Sequence, residues 1–183
     1  IDGQQIVCSV STSYCYSQKG EMDGYLTIVR DITEHKRAEE VLHESEERYR
    51  SLVELSPEAV VVHSEGKIAY INKSGTKIFG ATNPGELIGK PIKDFVHPDC
   101  WEKVLERVSQ VQEENEPAPL QELVFNRLNG DAFDVETTGV PITLSGKIAS
   151  LTIIRDISDR KRMEKALRDS EQRYRELSII DGL

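Results

Sequence analysis

The strongest constraint on this chain is a long internal repeat. Residues 26–52 and 151–177 align at a constant offset of 125 positions without a gap, and 16 of the 27 aligned positions are identical. A period of this length is too long for a solenoid, whose repeats span about 20 to 45 residues. It fits tandem domains of about 100 residues that are joined by similar connecting segments. We therefore expect one complete domain between the two repeats.

Each repeat reads as a strand, a tight junction and a helix. The β-branched runs 26–29 and 151–154 predict buried strands. Thr33 and Ser158 come after these strands, and each stands two residues after an aspartate. Both are good N-cap residues for a helix. In the second repeat we predict that the junction Arg155, Asp156 and Ile157 is held by Asp156, which accepts hydrogen bonds from backbone N–H groups around Ser158.

The two repeated helices carry a seam of residues spaced 4, 3, 4 and 3 positions apart. The seam residues are Ala38, Leu42, Ser45, Tyr49, Leu52, Met163, Leu167, Ser170, Tyr174 and Leu177. This a/d spacing is typical of helices that pair with each other, although each seam lasts only about two heptads. The alternative is an amphipathic helix that lies on its own domain. Because the seam occurs twice, we favour a homodimer formed through these helices.

The segment 56–157 predicts an α+β domain. Five strands are expected at 59–63, 67–71, 120–127, 132–142 and 147–155. Between the second and third strands lie helical turns at 73–79 and 84–89 and a longer helix that opens at Pro98, followed by a polar loop over 113–119. The order β-β-α-α-α-β-β-β gives an antiparallel sheet with the helices packed on one face.

Composition excludes several classes of function. The net charge is −9 and there is no basic block, which excludes a nucleic-acid-binding surface. No apolar run approaches the roughly 18 residues of a membrane span, so we expect no membrane insertion. Three cysteines are too few and too scattered for a disulfide framework, which favours the reducing cytoplasm.

Residues of catalytic or metal-binding type do not form a convincing cluster. There is no spacing typical of a nucleophile with its base, of paired carboxylates or of a metal site. His97 and Asp99 stand at a helix start, where capping explains them better than metal ligation. We therefore predict no catalytic residues and no metal site in this segment.

At residues 49–157 the chain resembles the PAS domain family with its C-terminal PAC stretch. The resemblance lies in the order and spacing of ERYRSLVELSPEAVVV, GKIAYIN, GELIGK, VHPD, RLNGDAFDVE and IIRDIS. It implies a five-stranded sheet in residues 56–157, flanked by signalling helices at 34–55 and 158–179. Residues 1–33 resemble the last strands of a preceding PAS domain, and residues 180–183 resemble the lead-in to a GGDEF diguanylate cyclase domain. A histidine kinase is the alternative effector.

The resemblance also implies a small-molecule pocket between the sheet and the helices. Its expected lining is Val60, Val62, Ile71, Phe79, Gln121, Leu123, Phe125, Val135, Thr137, Gly139, Thr152 and Ile154. Most of these are apolar and would serve equally well as core. Gln121 and Thr137 add polar groups that could orient a ligand, and Gly139 leaves volume. The alternatives are therefore a ligand sensor that relays its signal through the 155–157 junction, and a ligand-free scaffold for dimerisation and domain alignment.

Known PAS cofactors fit these residues poorly. The reactive-cysteine motif of the flavin-binding LOV domains is absent, and the thioester cysteine of coumaroyl-binding relatives would fall on Asp99. Haem-binding PAS sensors use a histidine on the long helix, whereas residues 101–112 contain none. The resemblance thus disfavours haem, LOV-type flavin and a coumaroyl chromophore, and it leaves the identity of any cofactor unknown.

Overall fold

The computed structural model describes residues 5–16, 18–20 and 22–180, with side chains for all of these except 23 and 176–180. The chain divides into two compact units, residues 1–51 and 52–183. The side chain of Leu177 and the predicted effector lead-in beyond residue 180 lie outside the described residues. No helix in the described ranges is long and apolar enough to cross a membrane.

The first unit contains an antiparallel hairpin and most of a long helix. Strands β1 (Cys8–Tyr16) and β2 (Met22–Asp31) pair with each other, and helix α1 (Thr33–Glu54) follows directly. At the junction Asp31 Oδ1 accepts hydrogen bonds from Thr33 N at 2.9 Å and from Thr33 Oγ1 at 2.6 Å. The assignment of this hairpin to a preceding PAS domain stays a prediction.

The second unit is built on a five-stranded antiparallel sheet. Its strands are β3 (Ala59–Ser64), β4 (Lys67–Ile71), β5 (Ala118–Asn126), β6 (Ala132–Leu144) and β7 (Lys147–Asp156), in the order β4-β3-β7-β6-β5. Helices α2 (Lys73–Ile78) and α3 (Trp101–Gln112) pack against the inner face, and α4 (Ser158–Ile180) follows β7. Short 3₁₀ turns lie at Pro84–Glu86, Ile92–Phe95 and Pro98–Cys100. The predicted α+β fold is confirmed.

Tight turns fix the register of the sheet. Ser145 and Gly146 both have positive φ, at 49° and 78°, as the two central residues of a two-residue hairpin require. Strand β5 begins at Ala118, so the predicted polar loop over 113–119 is too long at its C-terminal end. Ala118 is buried and pairs with Gly139, which explains why the strand extends back through this proline-flanked stretch.

A fully buried asparagine joins the strands to α2. Asn72 Oδ1 accepts hydrogen bonds from Gly75 N at 2.8 Å and from Val60 N at 3.0 Å. Its Nδ2 donates to the carbonyls of Val53 at 2.9 Å and Glu58 at 3.0 Å. The amide therefore satisfies four backbone groups and caps the start of α2.

Aromatic packing forms the centre of the core next to α2. The Phe79 ring lies 5.4 Å from the Phe95 ring, 6.4 Å from Phe125 and 5.8 Å from Phe133, measured between centroids. Two of these contacts are edge-on, the arrangement that the ring quadrupoles favour. The cluster leaves an unfilled volume between the sheet and α3.

Candidate functional site

A cavity of about 70 Å³ lies between the inner face of the sheet and α3. By comparison, an engineered cavity of about 150 Å³ takes up benzene, so this volume suits a ligand of only a few non-hydrogen atoms. The lining comprises Val61, His63, Ile68, Phe79, Ile92, Phe95, Val96, Val104, Arg107, Val108, Val111, Ala118, Leu123, Phe125, Thr137, Gly139, Ser150, Thr152 and Ile154. Most of this wall is apolar, with a few polar groups set into it.

The cavity brings together seven of the twelve residues predicted for the pocket. Those seven are Phe79, Leu123, Phe125, Thr137, Gly139, Thr152 and Ile154. All but Phe79 come from the three C-terminal strands. On β6 the apolar residues Phe133 and Val135 alternate with Asp134 and Glu136, which shows which side chains face inward, because successive side chains point to opposite faces of a strand.

The prediction was wrong on β3 and β4. Val61 and His63 line the cavity, whereas Val60 and Val62 do not. Every residue from Ala59 to His63 is buried, so the sequence offers no alternation from which the inward face could be read. In the β3–β4 pair the register shifts between Val62 and His63 of β3, and on β4 Ile68 lines the cavity in place of Ile71.

The remaining predicted residues also lie beside the cavity and not on its wall. Ile71 is buried against α2, where a β-carbon on Gly75 would stand 2.5 Å from Ile71 Cγ1. Val135 is fully buried in the core. Gln121 turns its amide to α3, where its Oε1 accepts a hydrogen bond from Arg107 Nη1 at 3.3 Å.

The missed residues come mainly from α3 and the 3₁₀ turns before it. Val104, Val108 and Val111 are spaced four and three positions apart, as on one face of a helix, so their periodicity could have identified them. Arg107 stands on the same face, although a charged residue there normally points to solvent. Nothing in the sequence pattern identifies His63 as a lining residue, because it stands at the end of an apolar run, where a strand is expected to end.

Two buried polar atoms of the lining have no hydrogen-bond partner among the described residues. They are His63 Nδ1 and Thr137 Oγ1, on side chains that are 7% and 2% exposed. Burial lowers the pKa of the His63 imidazole to about 4, so the ring is neutral at pH 7. Each unpartnered buried group costs about 1–3 kcal/mol, which a bound molecule carrying a complementary group would recover.

The predicted hydrogen bond at the second junction is present. Asp156 Oδ1 accepts from Ser158 N at 2.9 Å, just as Asp31 accepts from Thr33 N at the first junction. Burial raises the pKa of Asp156, but hydrogen bonds from Ser158 and the guanidinium of Arg127 outweigh it and hold this pKa below its usual value. The carboxylate is therefore ionised at neutral pH.

Arg127 links this junction to the wall of the cavity. Its Nη2 donates to Asp156 Oδ2 at 2.7 Å, and its Nη1 donates to the carbonyl of Ile78. The guanidinium lies 4.0 Å from the centroid of the Phe133 ring, a cation–π contact. Ile78 directly precedes Phe79, which lines the cavity.

Ion pairs hold the first turn of α4 on the outer face of the sheet. Lys161 Nζ lies 2.7 Å from Asp134 and 2.9 Å from Glu122, and Arg160 lies 2.8 Å from Glu122. Glu122 and Glu136 stand directly opposite each other on β5 and β6, a repulsive arrangement that the basic residues of α4 compensate. All of these charges are partly exposed, so each pair contributes little alone.

The large apolar residues of the predicted seam lie at the surface. Leu42, Tyr49 and Leu52 on α1 are between 61% and 65% exposed. On α4 the exposed fractions of Met163, Leu167 and Tyr174 are 62–73%. These side chains are therefore free to contact a second helix. The seam's role in dimerisation stays a prediction.

His97 caps the turn that precedes α3. Its Nδ1 accepts a hydrogen bond from Asp99 N at 3.4 Å. This contact agrees with capping as the role of the His97–Asp99 pair.

Comparison with known proteins identifies relatives of this chain. The family model described as PAS domain matches residues 57–159. Sporulation kinase A of Bacillus subtilis (strain 168) is 30% identical over 172 residues, which cover 94% of this chain and 28% of the kinase. The probable diguanylate cyclase DgcE of Escherichia coli (strain K12) is 28% identical over 156 residues, which cover 82% of this chain and 14% of that protein.

A solved structure supports the same fold. The PAS domain of an HTR-like protein from Haloarcula marismortui has a TM-score of 0.55 and 27% identity, over 67% of this chain and 99% of that chain. The present chain spans less than a third of either curated relative named above.

Proposed function

This chain belongs to the PAS domain family, and we propose that residues 56–157 form a sensory and dimerising module that relays ligand binding to α4. One observation carries the proposal. Strand β7 lines the cavity with Thr152 and Ile154 and ends two residues later at Asp156, which caps α4. A shift of β7 in response to a ligand would therefore move the start of the helix directly.

A second connection supports the same route. Arg127 binds both the carbonyl of Ile78 and the carboxylate of Asp156. Because Phe79 lines the cavity, a ligand that displaces its ring would act on Arg127 through the adjacent peptide group. The signal would appear as a population shift between two arrangements of α4.

The exposed seams supply the dimer contact. An apolar stripe with a/d spacing on each of two helices is favourable when it pairs with the same stripe of a second copy. We propose a homodimer through α1 and α4, with two discrete pairings of α4 as the output states.

The output is proposed to be an enzymatic effector that follows α4 in a cytoplasmic signalling protein. A diguanylate cyclase is our first choice, because residues 180–183 resemble the lead-in to that domain. A histidine kinase is the alternative, and the relatives include both classes. Assays of the full-length protein for cyclic dinucleotide synthesis from GTP and for autophosphorylation by ATP separate the two.

A ligand-free scaffold is the second candidate function. It is favoured by the small volume of the cavity and by its largely apolar wall. In that case Gly139→Leu, which inserts a side chain into the cavity, would leave regulation of the intact protein unchanged. A sensor would lose its ligand.

Native mass spectrometry of the purified chain tests this proposal. A dimer that carries the mass of a bound small molecule supports the sensor, and a dimer without added mass supports the scaffold. A monomer at micromolar concentration contradicts the dimerising role of the helices. In the full-length protein, Asp156→Ala should uncouple input from output while the module stays folded, and unchanged regulation would contradict the relay.

A further inference from the structure

One charged side chain lines the cavity, and it has no acidic partner in the part of the chain that the structure describes. Arg107 is half-buried in the cavity wall, and no carboxylate of the described residues lies within 4 Å of its guanidinium. Burial alone lowers the pKa of this group, although arginine stays charged at neutral pH. His63 is neutral, so the wall carries a net positive charge. A cavity wall whose cation has no acidic partner is suited to an anion.

Hydrogen bonds hold the Arg107 guanidinium in place but do not use all of its N–H groups. Its Nη1 donates to the carbonyl of Pro119 at 2.6 Å and to Gln121 Oε1 at 3.3 Å, and its Nη2 donates to the carbonyl of Thr137 at 3.1 Å. These three neutral acceptors fix the orientation of the guanidinium group. Of the five N–H groups of an arginine, two therefore have no acceptor within the described residues.

An unpartnered hydroxyl lies at the same end of the cavity. Arg107 binds the backbone carbonyl of Thr137, and the Oγ1 of this threonine is buried without a hydrogen-bond partner among the described residues. A guanidinium and a hydroxyl in the wall of one cavity offer donors that match the two oxygens of a carboxylate. His63 lies elsewhere, because it pairs with Ser150 on β7 whereas Thr137 pairs with Ile154, about 13 Å further along the strand.

The space next to this polar end is small and mostly apolar. A β-carbon at Gly139 would contact Val111 Cγ2 at 3.6 Å, Thr152 Oγ1 at 3.7 Å and Ala118 Cβ at 3.8 Å, so the missing side chain leaves room beneath α3. The cavity volume of about 70 Å³ restricts the apolar part of a ligand to a few carbon atoms.

We infer that the cavity binds a short-chain monocarboxylate of about two to four carbons, with its carboxylate at Arg107 and Thr137 and its alkyl group beside Gly139. This inference rests on the sensory function proposed above. It adds the class of the ligand and the residues that select it.

Methyl and amide NMR titrations of the purified chain test the inference. Sodium propionate is the probe, propionamide is its neutral isostere, and chloride keeps the ionic strength constant. We expect saturable shifts of the Val111 and Ile154 methyl groups with propionate, at least tenfold tighter binding than for propionamide, and no comparable shifts with chloride. Hexanoate, which exceeds the cavity, should bind more weakly than propionate.

Two variants identify the selecting residues. Thr137→Val keeps the shape of the side chain and should weaken propionate binding about tenfold, because it removes a hydrogen bond to a charged group. Arg107→Gln should abolish the preference for propionate over propionamide. Arg162→Gln, which removes an exposed arginine of α4, is the matched control and should bind like the wild type.

The outcomes separate this inference from the proposed function. Equal or tighter binding of propionamide overturns the assignment of a carboxylate and leaves the sensor intact. If folded Arg107→Gln still prefers propionate over propionamide, the role assigned to Arg107 is overturned. If Thr137→Val binds propionate with the affinity of the wild type, the role assigned to Thr137 is overturned. If neither probe binds at 50 mM, the inference fails, and the native mass spectrum of the purified chain then decides separately between the small-ligand sensor and the scaffold.

Discussion

Buried His63 should make the stability of the module depend on pH between pH 7 and pH 4.5. In the unfolded chain a histidine takes up its proton near pH 6.5, whereas burial lowers the pKa of His63 to about 4 in the folded state. Between these values the unfolded chain binds more protons, so the free energy of unfolding falls as the pH falls. When this difference in bound protons is integrated from pH 7 to pH 4.5, His63 alone lowers the free energy of unfolding by about 2 kcal/mol.

Urea unfolding of wild type and His63→Gln, followed by the fluorescence of Trp101 at pH 7 and pH 4.5, measures this loss. The glutamine variant is expected to start less stable but to lose about 2 kcal/mol less over the same pH interval. His35→Gln, which removes a solvent-exposed histidine of α1, should keep the full loss. Parallel pH profiles for wild type and His63→Gln would refute the reasoning, because they would mean that the imidazole is solvated or charged in the folded state.

Four further predictions concern packing, capping and pairing. Gly139→Ala should stabilise the module by about 1 kcal/mol in thermal unfolding, since its methyl group meets only ordinary contacts of 3.6–3.8 Å and the unfolded chain loses freedom; a lower melting temperature would contradict the open space. Asn72→Ala should lower the free energy of unfolding in urea by about 3 kcal/mol or more, because four backbone groups lose their partner; a loss below about 1 kcal/mol would contradict this. Leu167→Lys should raise the dimer dissociation constant at least tenfold in sedimentation experiments, whereas Arg168→Ala, outside the seam, should not. The folded pKa of Asp156 is depressed, so the stability advantage of wild type over Asp156→Asn should be complete above about pH 5 and decline as the pH falls below about 4; an advantage independent of pH would contradict the assigned contacts.

The sequence contained enough information to place the architecture and the C-terminal half of the cavity. The inward residues of β5 and β6 alternate with polar residues, namely Glu122, Glu136 and Thr138. The sequence therefore shows which side chains of these strands face inward. The hydrogen bond at the junction between strand and helix could also be predicted, because the repeat places an aspartate two residues before each N-cap.

The rest depended on tertiary contacts that a local pattern does not contain. On β3 both faces are buried, and a run of valines fits either orientation. Arg107 is held in the wall by carbonyls of Pro119 and Thr137, which lie 12 and 30 positions away in the chain. Such acceptors are brought together only by the folded sheet.

The central claim is that the state of the cavity biases the pairing of α4 through Asp156. It can be tested by measuring the distance between spin labels at position 168 of the two subunits, with Arg168 replaced by Cys and Cys8, Cys15 and Cys100 replaced by Ser. This position is exposed and lies outside the seam.

Pulsed dipolar spectroscopy then compares wild type with Gly139→Leu, in which the cavity is filled. The account predicts two distances whose proportions differ between these two proteins, and no such difference when both also carry Asp156→Ala. Identical distance distributions in wild type and Gly139→Leu, or the absence of any distance between subunits, would contradict it.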